Sequence, residues 1–464
     1  MNRIAGGLAL AAGILALAPA ALATDGGEPK TDVERRLEEV LAELEAQRLE
    51  IDALKARLAV TTPSALAAEV AKYLAVEDEA KKDPLEFRAI WKDGLNFETA
   101  DRNFTLKVGG LVQYDFVFPD ADDEVEARAG DFDALSGFRR LRLGMEGTIN
   151  GNVYFVNTID FADTAYAYRG NYVGVKGLPV VGNFQVGYFK EPVGLEELTS
   201  SKVTTFTERS IVDGSFVPAF SHGAMIFNNY EDGRFTWALA DMWDGGTGVS
   251  RVEHGFSARV TGVPWMDKEA SSLLHLGLSA QVRSPDAETD RFRARPGTPF
   301  TPRTLDTGTV SADSERIQGL EAAFVRGPFS VQSEYYAASI AGHPDVAGAP
   351  DPDFHGWYAS ASWFLTGESR PYRNGTFGRI KPKSGFDTKG NGSGAWEVAL
   401  RYASVDLDDD GVQGGVAHDI TLGLNWYLNP STRIMLDYVT HSVRWDADTD
   451  GKVNSLVLRF AVDF

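Results

Sequence analysis

The chain has 464 residues, no cysteine and a formal net charge of −21. The lack of cysteine excludes disulfides and thiolate metal or redox centres, and so acidic a chain is a poor partner for nucleic acid. Beyond the first two dozen residues no stretch is apolar and long enough to span a bilayer as a helix; strands, apolar only at alternate positions, stay open as a way across.

Residues 1–23, MNRIAGGLALAAGILALAPAALA, order one early cation (Arg3), a short apolar run and Ala21-Leu22-Ala23. That order predicts a secretory signal peptide cleaved before Thr24. Removing it with Arg3 takes the charge from −21 to −22. Over 32–60, Leu37, Leu44, Ile51 and Leu58 fall at heptad position a, and Val33, Val40, Gln47 and Leu54 at d. The spacing predicts a coiled-coil helix; a lone amphipathic helix is the alternative, but one this short is marginal without partners. Thr61-Thr62-Pro63 closes it, and 61–96 reads as a charged, partly helical connector.

From residue 97 to 464 the texture is alternation and turns. In FTLKVGGLVQYDFVF, Leu106, Val108, Val112, Tyr114, Phe116 and Phe118 share one face, while Lys107, Gln113 and Asp115 take the other. FRRLRLGMEG opposes Leu141, Leu143 and Met145 to Arg140, Arg142 and Glu146; WEVALRY, ITLGLNWYL and the final NSLVLRFAVDF alternate in the same way. A β-sandwich needs an apolar inner face. Charges on one face of many strands instead predict an all-β transmembrane barrel, lipid outside and water inside, of about sixteen antiparallel strands. Counting turns from both ends places short connections (TINGN, GLPVVGN, NPST) on the periplasmic side. Long ones fall outside, the third being KEPVGLEELTSSKVTTFTERSIVDGSFVPAFSHG. TGESRPYRNGTFGRIKPKSGFDTKGNGSG is the exception, long yet on the inner side. Trp357, Trp363, Trp396, Trp426 and Trp445 suit interfacial girdles.

FRRLRLG, FKEPVGLEELTSSK, WFLTGESRPY, GAWEVALRYASV, TLGLNWYLNP and VLRFAVDF, in this order, resemble the phosphate-selective porins O and P across most of 97–464. The resemblance implies a homotrimer of sixteen-stranded barrels, a third outer loop folded in to narrow the pore, and passive transport of anions past inward basic residues. Arg139 and Arg140 match that family's phosphate-contacting pair, and Ser200 and Ser201 its constriction serines. Leu111 stands where the family has an arginine, and Glu197 where it has a lysine. Arg142 replaces an aromatic residue, and Arg169 falls near an acidic position. A carboxylate about 4 Å from a bound phosphate costs on the order of 1–4 kcal/mol, so Glu197 speaks against a phosphate site.

Arginine offers a planar fork of donors to oxyanions, which makes Arg139, Arg140 and Arg142 the leading candidates for the pore; salt bridging to Glu146 and the acidic loop is the alternative. By strict alternation Arg139 points outward, unless it sits in a bulge. Lys190 and Lys202 flank a segment holding Glu191, Glu196, Glu197, Glu208 and Arg209. Glu196 and Glu197 are the expected constriction acids, set against cations in a transverse field. Asp406, Asp408, Asp410 and Gly411, and Asp446, Asp448, Asp450 and Gly451, form D-x-D-x-D-G runs that lack the twelfth-position Glu of a calcium loop, so acidic hairpin turns are expected. Nucleophile-elbow and phosphate-loop motifs are missing, and His275 and His441 sit on polar faces. The expectation is therefore a porin rather than an enzyme, without cofactor or metal. It would lie in the outer membrane of a Gram-negative bacterium among lipid and lipopolysaccharide. Its coiled coil would stand in the periplasm near peptidoglycan, and its permeants would be small anions. A weakly cation-selective pore and a structural tether to the cell wall are the rival readings.

Overall fold

The computed structural model describes residues 32–60, 87–162, 167–243, 252–269, 271–285 and 288–464, in two compact units, 1–83 and 84–464. In the first, helix α1 (Asp32–Val60) forms where the heptads predict it. Its a and d residues Leu37, Val40, Leu44 and Ile51 are 45–51 % exposed. The expected signal peptide, and the connector up to residue 86, lie outside the described residues.

The described end of the connector, from residue 87, is strand. Phe87–Trp91 and Leu95–Thr99 pair as a hairpin, turned by Asp93 and Gly94, both at positive φ. Sixteen barrel strands follow. They are β1 (Thr105–Ala121), β2 (Leu135–Ile149), β3 (Val153–Asp160), β4 (Ala167–Leu178), β5 (Gly182–Lys190), β6 (Phe220–Tyr230), β7 (Phe235–Trp243) and β8 (Val252–Asp267). The circuit continues with β9 (Ser272–Pro285), β10 (Ser314–Arg326), β11 (Phe329–Ala341), β12 (Asp353–Phe364), β13 (Ala395–Asp409), β14 (Val412–Asn429), β15 (Thr432–Arg444) and β16 (Asp450–Asp463). Each pairs antiparallel with its neighbour, and β16 returns to β1 in a register running from Val453 opposite Ala121 to Asp463 opposite Leu111. The ring is closed, so the barrel itself has no open edge. The hairpin's second strand pairs with Thr105–Val108, the stretch of β1 that β16 does not reach.

Closure depends on two glycines. Phe464 and Gly110 exchange backbone hydrogen bonds. A Cβ on Gly109 would lie 2.4 Å from the Phe464 carbonyl oxygen, and one on Gly110 2.6 Å from its ring. Only a residue without a side chain lets the two ends of the barrel meet so closely.

Alternation sorts the two faces as the sequence implied. Phe118, Leu143, Leu278, Leu422 and Phe460 point outward and are 45–55 % exposed. Asp115, His275, Glu321, His441 and Arg459 point inward and are buried. Trp357 and Trp363 face outward, and Trp396 stacks on Trp426 at 5.1 Å. Trp445 departs from the girdle: its indole N–H donates to the Thr304 carbonyl at 2.7 Å and the Arg128 guanidinium lies 5.0 Å over its ring. It follows the end of β15, where the chain turns back over the loops that fill the barrel.

Connections at one end are short (150–152, 179–181, 231–234, 327–328, 430–431) and at the other mostly long (122–134, 191–219, 286–313, 342–352). The segment 365–394 is long at the short-turn end, where the turn count put it. The third long-end loop, 191–219, carries short helices at Leu195–Leu198 and Ile211–Phe216. With 122–134 and 286–313 it packs an apolar cluster against the wall, among them Val125, Phe132, Ile211, Phe216, Phe292, Leu305 and Tyr336. From the other end Phe377 of segment 365–394 packs beside Leu195. This packs the lumen from β8 round to β16 and leaves open chambers along β1–β6.

Candidate functional site: a basic passage between wall and loop

Two chambers lie along that wall. The first, about 510 Å³, sits toward the long loops and is lined by Arg139, Arg140, Arg169, Arg209, Arg293, Arg295 and Arg303, against Asp160, Glu208 and Asp213. The second, about 760 Å³, lies toward the short turns, lined by Lys107, Arg142, Arg169, Lys190 and Lys202 against Glu146 alone. Arg169 lines both. A protein of net charge −21 thus surrounds a passage with a large excess of cations.

Local backbone geometry supplies two of these arginines. Gln113 opposes Arg140 and Tyr114 opposes Phe138, so Arg139 is an extra residue in β2. Between the pairs Asn157–Asn171 and Ile159–Tyr168, β4 again carries one extra residue, at 169–170. Such a bulge re-aims side chains that alternation would send outward. Arg139 therefore turns inward, where its fork donates to both oxygens of Glu208 at 2.8 Å.

Arg140 is buried, donates to Gln113 at 2.7 Å and lies 3.9 Å from Glu208. Arg142 reaches from the wall to the loop: its Nε donates to Asp160 and its Nη1 to the Ser201 hydroxyl, at 2.8 and 3.0 Å. Gln113 makes a parallel link, donating to the Ser201 carbonyl at 3.1 Å. Arg169 stands 3.8 Å from Asp160. Ser200, Ser201 and Lys202 line the second chamber, with the Lys202 ammonium 3.5 Å from the Phe464 carbonyl oxygen. Leu111, in place of an arginine, is a buried apolar patch of the same wall.

The two expected constriction acids do not face the passage. Glu197 is 3 % exposed and pairs with Lys190 at 2.7 Å and Arg209 at 3.1 Å. Burial raises its carboxyl, but the Arg209 and Lys190 charges outweigh that and hold it below the usual carboxylate range. Glu196 turns the other way, to Arg401 at 3.2 Å and the Ser210 amide at 3.0 Å. A four-residue helical turn splays neighbouring side chains apart and buries both behind the loop, so the repulsion expected of Glu197 toward an anion is removed at its source.

Sequence reasoning missed three features. Glu208 is the hub that Arg139, Arg140 and Arg459 share; burial raises its carboxyl, and those three cations bring it well below its ordinary value. Arg295, exposed on loop 286–313, lines the first chamber; its signal was RFRARPGTPFTPR (291–303), a basic island in an acidic chain. The third is the anchorage of loop 191–219 on the far wall. Glu334 accepts the Leu195 and Glu196 amides at 2.6 and 2.8 Å. Asp437 accepts both donors of Thr207, at 2.7 and 2.8 Å, and Asn425 donates to the Thr205 carbonyl at 2.7 Å.

The acidic runs form turns. Asp410 and Gly411, both at positive φ, make the two-residue hairpin that D-G favours, and Asp408 accepts the Gly415 amide at 2.6 Å. Asp446 accepts the Asp448 amide at 2.9 Å. His275, inward as expected, bonds Tyr372 at 2.7 Å.

The family model of the phosphate-selective porins O and P matches residues 106–464. Porin O of Pseudomonas aeruginosa is 28% identical over 417 residues, 79% of this chain and 90% of that protein. An uncharacterized protein of Caulobacter vibrioides is 29% identical over 490 residues, 98% of this chain and 95% of its own. Among solved structures, the outer membrane channel DcaP of Acinetobacter baumannii superposes with a TM-score of 0.49 at 12% identity, over 79% of this chain and 99% of that one. An anion-selective porin from Comamonas acidovorans does so at 0.47 and 15% identity, over 77% and 99%. With a match that spans the closed barrel from β1 to its last residue, the chain belongs to the phosphate-selective porin O and P family, an outer-membrane channel and not an enzyme.

Proposed function

We propose that the channel passes small hydrophilic solutes passively and prefers small oxyanions such as phosphate. One observation carries this reading. Both chambers have more cations than carboxylates, and Glu208 and Asp160 are already bound to arginines, while the Arg295 guanidinium lines the first chamber without an ion pair among the described residues. An anion entering past Arg295 meets Arg169 and then Lys202 and Lys107, so each cation hands it to the next. The long loops would face outward and the short turns the periplasm, the usual polarity of such barrels. A signal peptide at 1–23 would direct the chain there, and a homotrimer, implied by the family, would carry α1 as a periplasmic stalk near peptidoglycan.

The zero-current potential across a planar bilayer under a tenfold KCl gradient tests the reading, with phosphate then titrated as a blocker. Anion selectivity with phosphate block supports it. Cation selectivity without block would leave a general pore, and no conductance steps at all would favour a structural tether.

A further inference from the structure

Among the described residues nothing covers the apolar stripe of α1: Leu37, Val40, Leu44 and Ile51 are each about half exposed. Leu41, at heptad position e, is 55 % exposed and widens the stripe on one side. A single helix keeps such a face in water only at a cost in hydration free energy, and its charge pattern says what covers it. Positions g carry Arg36, Glu43, Glu50 and Arg57, and the e positions five residues after the two acids carry Arg48 and Lys55. In a parallel coiled coil without stagger, g of one helix faces the following e of its neighbour.

We propose that α1 binds copies of itself, parallel and in register, with Glu43 opposite the partner's Arg48 and Glu50 opposite the partner's Lys55 along each seam. An antiparallel arrangement sets g against g and e against e, which brings Glu43 toward Glu50 and gathers the cations of the e positions together. A one-heptad stagger keeps the apolar layers but moves Glu43 onto Leu41 or Lys55 and leaves one end of the stripe bare. Gln47, the one polar residue among the a and d layers, adds a register signal, because it meets its own kind only when the helices are aligned. Lys55 lies 3.4 Å from Asp52 of its own helix, both side chains well exposed, a weak pair that does not hold it back. The inference rests on the proposed self-assembly of the chain and specifies its orientation, register and charge pairs.

The chain has no cysteine, so one introduced thiol is unique. Leu44→Cys and Ile51→Cys are made separately in the full-length protein, assembled in detergent, and oxidised under mild conditions. In a parallel, unstaggered bundle each residue sits about 6 Å from its own copy, within disulfide reach. Both variants are therefore expected to give a covalent dimer on a denaturing gel. Ala42→Cys, at the outward position f, stays monomeric. In a three-stranded bundle at most two of three chains link, so the yield saturates near about two-thirds; a two-stranded bundle goes to completion. The Glu43→Lys, Glu50→Lys pair slows cross-linking several-fold, and adding Arg48→Glu with Lys55→Glu restores it. Linking at only one of the two sites, equal linking at Ala42→Cys, or none while the barrels remain assembled overturns the proposal. Bilayer conductance of the same unoxidised proteins is recorded alongside, so failure of the channel reading is seen separately from failure of the helix pairing.

Discussion

Glu334 lines neither chamber, yet it should set the shape of both. Its carboxylate, 2 % exposed on β11, accepts four donors: the Leu195 and Glu196 amides, at 2.6 and 2.8 Å, and the hydroxyls of Tyr336, at 2.8 Å, and Tyr358. The two amides open the turn that leads to Ser200, Ser201 and Lys202. Glu334→Gln keeps the volume but replaces one acceptor oxygen with an NH₂ group that must face donors. Charged-group hydrogen bonds contribute about 1.5–3 kcal/mol each, and a buried donor left unmet costs a similar amount. The expected loss of loop anchorage is therefore about 2–4 kcal/mol, a shift of one to three powers of ten in the loop's local equilibrium. Tyr336→Phe removes one donor of the four and should cost about 0.5–1.5 kcal/mol. Single-channel recording reads the difference: Glu334→Gln should give larger, noisier openings with sub-steps, Tyr336→Phe a fainter version, and both should keep the wild-type sign of selectivity. Heat-modifiable gel mobility checks that the barrel is folded. Wild-type conductance and noise from a folded Glu334→Gln barrel would refute the reasoning, and would mean that Asp437 and Asn425 hold the loop by themselves.

Four further outcomes follow from the same geometry. Glu208→Gln frees Arg139 and Arg140 from their shared carboxylate and should move the zero-current potential further toward that of chloride. Arg295→Ala should lower conductance in dilute salt and have little effect near 1 M, where charges are screened beyond about 3 Å. Gly110→Val puts a side chain where the Phe464 ring lies and should yield barrels that unfold at lower temperature on heat-modifiability gels. Acid should release the loop: Glu197 and Glu208 have folded values below their ordinary one, so the stability they contribute is complete above a pH of about 4.5. It is lost as the pH falls through those lowered values. Conductance should be steady from neutral pH down to about 5 and turn noisy only in stronger acid.

Much of the barrel was legible because lipid imposes a strict period. The alternation in segments such as 420–428, the D-G and N-G turns and the short-long rhythm of connections each follow from one local rule, and they agree with one another. Where Ile420, Leu422 and Leu424 point needs no knowledge of the rest of the chain. The site was harder for a specific reason: it is built where the local rule is broken. Arg139 and Arg169 reach the passage through bulges, and a one-residue insertion leaves no mark in the apolar pattern. The place of Glu196 and Glu197 in the loop suggests the constriction, but their direction depends on Glu334, Arg401 and Lys190, distant in sequence or across the loop's base. The end of the connector is strand for a related reason. FRAIW followed by KDGLNFET (87–99) is too short for periodicity to decide, and it becomes strand because β1 extends past β16 and offers an unpaired edge.

The charge of the protein and the charge of its passage have opposite signs, and the fold explains how both can hold. The strands send a mixture of acids and bases inward, and from β8 round the ring to the β16–β1 seam many of these neutralise each other in buried pairs. Arg259 binds Glu321 at 2.6 Å and Arg459 binds Asp115 at 2.6 Å; such pairs leave little field behind. Exposed acids gather on the turns, including 120–134, 406–410 and 446–450, where water and salt screen them within about 10 Å. Along β1–β5 each bulge adds a cation without adding an acid, so Arg139 shares Glu208 with Arg140 and Arg459, and Arg169 shares Asp160 with Arg142. Low-dielectric walls then focus that local excess on the passage, so a handful of arginines can outweigh a net charge spread over the whole surface. On the proposed reading, selectivity would follow from cations outnumbering the acids they share, and mutations that break buried pairs far from the passage should alter the loop before they alter the field.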